Sequence, residues 1–175
     1  MDEARKDQEA PITRELFLEW RSPRLGNANP SVLTNPVWEW LIRTRMNAYQ
    51  ATETFGGPSA LEAGPGWCFE RFGQTTTMLA DGREVMIAGE HEDSYDPDFF
   101  IYNDVVVREP DGKITIYGYS KEVFPPTDFH TATLVQGAIV LIGSLGYMEE
   151  RLGRKETQVL QLMPHNFAMH EIQAL

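Results

Sequence analysis

Residues 72–89 read FGQTTTMLADGREVMIAG, and residues 101–117 read IYNDVVVREPDGKITIY. In each, a run of alternating or β-branched residues is followed by Asp-Gly and then by a second such run. Alternation at period two is the strand signal, and Asp-Gly between paired runs marks a hairpin turn. Asp81-Gly82 and Asp111-Gly112 are therefore read as the tips of two hairpins. The acidic insert EHEDSYDPDFF, residues 90–100, separates them. The pattern then returns: FHTATLVQGAIVLIG at 129–143 and TQVLQLMPHNFAMHEI at 157–172. Thr77-Met78-Leu79 corresponds to Thr133-Leu134-Val135, and Gly89 to Gly143, an offset of about 55 residues. A period of this length is typical of propeller and array repeats. Each copy reads as strand, tight turn, strand, long loop, strand, tight turn, strand.

Asn103-Asp104-Val105-Val106-Val107, followed by its DG turn and a last strand, resembles the third strand of a kelch repeat. Thr157-Gln158-Val159-Leu160-Gln161-Leu162 resembles it more weakly. Ala88-Gly89 and Gly143-Ser144 stand where kelch blades carry a glycine pair, and each keeps one glycine. The tryptophan usual in the last kelch strand is absent. The resemblance covers about residues 72–172 and implies an α+β, mainly β fold. Two four-stranded antiparallel kelch-like sheets are expected, with N-terminal helices packed on them. Propellers close with four or more blades, so two blades leave apolar faces open. The remedies are packing of the sheets on each other, a helical cover, or a second chain, which would make a homodimer.

The helical cover is expected from residues 12–66. Thr13 caps a short helix carrying Leu16, Phe17 and Trp20. Asn35-Pro36 is a helix start, and Trp38, Leu41, Ile42, Met46 and Tyr49 make a stripe to about Ala51. The stretches RLGNANPSVLT and GGPSALEAGPG are read as connectors without elements. Residues 1–11 are read as a disordered tail, and 67–175 as the two repeats, the whole forming one compact domain. Cys68, the single cysteine, is flanked by Trp67 and Phe69 and is expected to be buried and inert.

A net charge of −11 disfavours direct nucleic-acid binding, which needs clustered Lys and Arg. A basic protein, a metal ion or a cationic ligand fits it better, and a basic protein partner is expected. The first residues have no apolar core, so no signal peptide is expected, and no run suits a membrane span. A single cysteine fits a reducing compartment, so the cytoplasm is expected.

Strand order places the tight turns 81–82, 111–112 and 136–137 at one end. The long segments 90–103, 118–130 and 144–156 fall at the other, where binding usually resides. Those segments supply His91, Glu92, Asp93, Asp96 and Asp98; then Phe124, Asp128, Phe129 and His130; then Tyr147, Met148, Arg151 and Arg154. An acidic lip beside aromatic groups suits a basic protein surface. The expectation is a non-catalytic protein-binding module with no cofactor, of the kind exemplified by immunity proteins that neutralise a toxin. The alternative is a metal-dependent enzyme using His91, Asp93, Asp128 and His130, all legitimate ligand types. The segments contain no HExxH, GxSxG, Walker A or CxxC motif.

Overall fold

The structure, a computed structural model, describes residues 12–153 and 155–172. The tail at 1–11 and Arg154 lie outside the described residues. The fold is α+β and mainly β. Residues 75–118 form β2 (Thr75–Met78), β3 (Glu84–Ile87), β6 (Asp104–Arg108) and β7 (Ile114–Gly118), each antiparallel to the next in the sheet. Residues 131–171 form β8 (Thr131–Val135), β9 (Ala138–Ile142), β10 (Val159–Met163) and β11 (Ala168–Glu171), again as a meander. Asp81 and Asp111 shape the two DG tips, each accepting from the amide two residues on, Arg83 and Lys113. The first sheet gains an unforeseen fifth strand, β1 (Ser31–Val32), paired with β7, giving the order β1-β7-β6-β3-β2. This corrects the reading of residues 24–34 as a pure connector. The segment is held close because Gly26 donates to Tyr119 O, and a Cβ on Gly26 would lie 2.2 Å from Gly118 O. Asn29 also pins it to β11, bonding Met169 O and Met169 N at 2.7 Å each.

The sheets pack on each other and the helices cover the far face, so two of the expected remedies occur together. Successive strand residues point to opposite faces. Val85, Ile87, Val105 and Val107 therefore face Ile139, Leu141, Leu160 and Leu162 across one apolar layer. Met86, Val106 and Ile116 face the helices, where Phe17, Trp38, Leu41 and Ile42 are buried. Strand β2 lies beside β8. The outer face of β8–β11 carries the half-exposed Val135 and Ile142.

The helical layer departs from the expected single helix. α1 (Arg14–Trp20) is capped by Thr13, and α2 (Pro36–Thr44) by Asn35, as the sequence implies. However, α2 stops at Arg45, which takes a left-handed conformation with φ 58°. A second helix, α3 (Ala48–Phe55), starts at Asn47, whose side chain and that of Gln50 form a reciprocal capping box. Two capped helices can follow the sheet surface where one straight helix would project from it. Tyr49 consequently leaves the apolar stripe and is exposed. In the second connector, α4 (Ala60–Ala63) forms one turn, with Glu62 bonded back to Ser59. Near the chain end, α5 (Met148–Gly153) lies between β9 and β10.

The Asn-Asp pair that opens β6 is an internal fastening. Asn103 donates to Tyr119 O and Phe124 O. Asp104 is 4% exposed; it accepts from Trp67 Nε1 at 2.9 Å and pairs with both terminal nitrogens of Arg71. The Arg71 guanidinium lies 3.4 Å from the Tyr102 ring centre. A charge pair this deep is tolerable because nearly every donor and acceptor finds a partner.

Candidate functional site

The three long segments meet at one end, as their order in the chain requires. Gly89 donates to Thr127 O, Thr127 to Tyr102 O, and Leu145 to Asp128 O. The acidic insert contributes a short hairpin, β4 (Glu90–His91) with β5 (Phe100–Ile101). Because strand residues alternate, Glu90 and His91 serve opposite sides of β4.

On the Glu90 side stands Asp128, fully buried. Its Oδ1 accepts from Gly146 N at 2.6 Å and Ser144 Oγ at 3.1 Å, while Oδ2 has no hydrogen-bond partner. Burial, then the hydrogen bond and charge of Asp128, raise Glu90 to about 7, with Arg151 opposing. A proton on Glu90 gives the two neighbouring carboxyl groups one donor to share. His130, also buried, has Nε2 2.8 Å from Thr75 Oγ1 and an unpartnered Nδ1. Burial lowers its pKa to about 4 against the pull of Asp128, so the ring is neutral near neutral pH. Tyr147 OH accepts from Ile101 N, and its ring meets Phe99 edge-on at 5.6 Å. Arg151 Nε donates to the carbonyls of Leu145 and Gly146.

On the other side His91 lies close enough to Cys68 for each to shift the other's titration, and its Nε2 lies 3.5 Å from Glu92 Oε1. Burial pushes the Cys68 thiol up, but the His91 bond and charge, the Ala48 amide and Arg71 together hold it below its usual value. Burial opposes an imidazolium at His91, and Cys68, Glu92 and Asp98 outweigh it, so His91 is raised. The contact of Cys68 Sγ with Glu70 O, 3.4 Å, favours the thiol form instead. Cys68 is thus buried, as expected, but the expectation that only aromatic groups surround it is corrected. Its partners come from 20 or more residues away in His91 and from the start of α3 in Ala48, so flanking residues carried no signal of them. At 1% exposure the sulfur is closed to solvent reagents.

The expected binding residues therefore divide. Phe124, Asp128, His130 and His91 are buried and offer no side chain to a partner. Phe124 packs edge-on against Tyr119 in the inter-sheet layer. The physical reason is common to all four: tightly joined loops consume side chains to satisfy their own backbone and to fill space beneath them. Glu92, Asp93, Asp96, Asp98, Phe129, Tyr147 and Arg151 retain exposure. His91, Asp93, Asp128 and His130 do not converge, and among the described residues no group of three or more His, Cys, Asp or Glu is placed to hold a metal ion.

Sequence reasoning named Phe129 and Met148 at this end but missed the other exposed apolar groups there, Phe72, Leu145 and Leu152. Phe72, Phe129, Leu145, Met148 and Leu152 are all exposed. Phe129 is 51% exposed although its φ is +44°, a left-handed conformation unusual for an aromatic residue. It sits directly on Gly73, where an added Cβ would fall 2.4 Å from Phe129 N. The Phe-His dipeptide at the end of a loop carried no signal of this strain. A cavity of about 470 Å³ opens beside the run, between Ser144, Arg151, Lys155 and Gln158. Among the described residues no helix is long and apolar enough to cross a membrane. No family model, curated protein or solved structure matches the chain.

Proposed function

We propose that the chain is a non-catalytic, cytoplasmic protein-binding module whose loop end docks a basic protein, in the manner of inhibitors of the immunity type. One observation carries the reading: Phe72, Phe129, Leu145, Met148 and Leu152 are each exposed on the segments of the loop end, where Asp128 fastens the 144–146 stretch. A run of exposed large apolar groups on rigid backbone is what a binding anchor requires. Glu92, Asp93, Glu149 and Glu150, on the same long segments, keep exposure and supply acidic charge. The left-handed Phe129 supports the same reading, because backbone strain kept at a half-exposed aromatic is of the kind that gathers at binding sites. Self-association through the outer face of β8–β11 is a second mode of contact, favoured by the half-exposed Val135 and Ile142. A kelch-like ancestry of the two sheets remains part of this proposal.

The test uses Phe129→Asn. Asparagine accepts the left-handed conformation at lower cost than phenylalanine, so thermal stability should hold or rise. Affinity should fall by about 2 kcal/mol, the scale of an aromatic hot spot. The measurement is affinity capture from the source cells with both baits, followed by binding of the recovered protein. Equal recovery by the two baits would remove the loop end from the interface.

A further inference from the structure

We propose that a second site, between α1, α3, α4 and the tip of the acidic insert, binds a small zwitterion of the amino-acid class. The site is a cavity of about 370 Å³, within the usual size of small-ligand pockets. At its wall is Arg21, only 4% exposed. Its Nη2 donates to Gly64 O at 3.3 Å, but Nε has no partner and no carboxylate of the described residues stands within ion-pair distance. A buried guanidinium in that state is costly unless an acceptor comes to it. Burial destabilises its charge, and the more distant Asp98 only partly compensates.

The rest of the lining carries the opposite sign. Glu53, Asp96 and Asp98 contribute carboxylates, and Tyr49 OH donates to Glu53 Oε1 at 2.8 Å. Asp96 Oδ1 is occupied by the Asp98 amide, which fixes the tip of the insert. A simple anion would meet three carboxylates there. A simple cation would leave Arg21 unsatisfied and be repelled by it. A ligand carrying both charges answers both demands: its carboxylate pairs with Arg21, and its ammonium turns to Glu53 and Asp98. Charge-assisted bonds of this kind are the strong ones, and a guanidinium suits a carboxylate in particular. Pro97 and Leu61 offer apolar surface to a side chain. Its lining shares no residue with the exposed apolar groups of the loop end, and the site does not depend on the reading of that face.

The experiment is a thermal-shift and calorimetric titration of the full chain with each free L-amino acid, with acetate and methylammonium as controls. A ligand that binds only the folded state raises the melting temperature with concentration. At least one amino acid should do so, and neither control should. Arg21→Met should abolish the shift, but it empties a buried position and risks unfolding the protein. Glu53→Gln is therefore the second arm: Glu53 is exposed, so the free protein should melt as wild type, while affinity falls about tenfold with the loss of one charge. The proposal is overturned if no amino acid binds, if acetate or methylammonium binds as well as the intact zwitterion, or if Glu53→Gln binds unchanged.

Discussion

Asp128 is fully buried with one carboxylate oxygen unpartnered, and its neighbour Glu90 is raised to about 7 by burial and by Asp128. This makes the seam between loops sensitive to pH. Glu90 is raised from 4.5 to about 7, so the folded state holds that proton more tightly than the unfolded chain. The associated stability is complete below pH 4.5 and is lost as pH rises through about 7. His130 works in the other direction. Lowered from 6.5 to about 4, it contributes stability above pH 6.5 that is lost as pH falls through about 4. Glu90→Gln keeps a donor at every pH. Urea unfolding across the range 4.5 to 7 should show a declining contribution in wild type that the variant lacks. Parallel curves for the two proteins would mean that the Glu90 proton does not hold the seam. The presence of these residues near one another was legible from loop order. Their burial was not, because charge suggests solvent, whereas Asp128 is committed to Gly146 and Ser144.

At the scale of elements, local signals located what local forces decide. The DG turns and period-two runs located eight strands, and Thr13 and Asn35 located two helix starts, because turns and caps are short-range hydrogen bonding. Strand β1 was hidden: two residues pair with β7 only after Gly26 and Gly118 have come together. The end of α2 was hidden too, since Arg45 is an uncommon residue for a left-handed cap and no glycine marks the stop. Despite the break, the expected stripe of α2 is buried against the sheet at Trp38, Leu41 and Ile42. Leu41 is 1% exposed, so Leu41→Ala should destabilise by about 2–5 kcal/mol in urea unfolding. A loss under about 0.5 kcal/mol, the scale of an ordinary surface change, would place α2 outside the core.

In the whole molecule, a helical layer, a five-stranded sheet and a four-stranded sheet hold the long loops at one end of a rigid stack. The chain carries a net charge of −11, and Glu92, Asp93, Glu149 and Glu150 stand at that end. If this end meets a basic partner, two rates should respond separately. Apolar anchors set mainly the dissociation rate, whereas rim charges set mainly the association rate and its salt dependence. The most direct measurement is the binding kinetics of the captured partner at low and moderate salt. It would compare wild type, Phe129→Asn, and the double reversal of exposed charges Asp93→Lys with Glu149→Lys. Phe129→Asn should dissociate faster with its association little changed. The double reversal should associate more slowly and lose most of its salt dependence, as expected when opposite charges steer encounter over about 8 Å of screening length. Association that ignores salt in wild type, together with wild-type kinetics in both variants, would contradict the assignment of this end as the binding face.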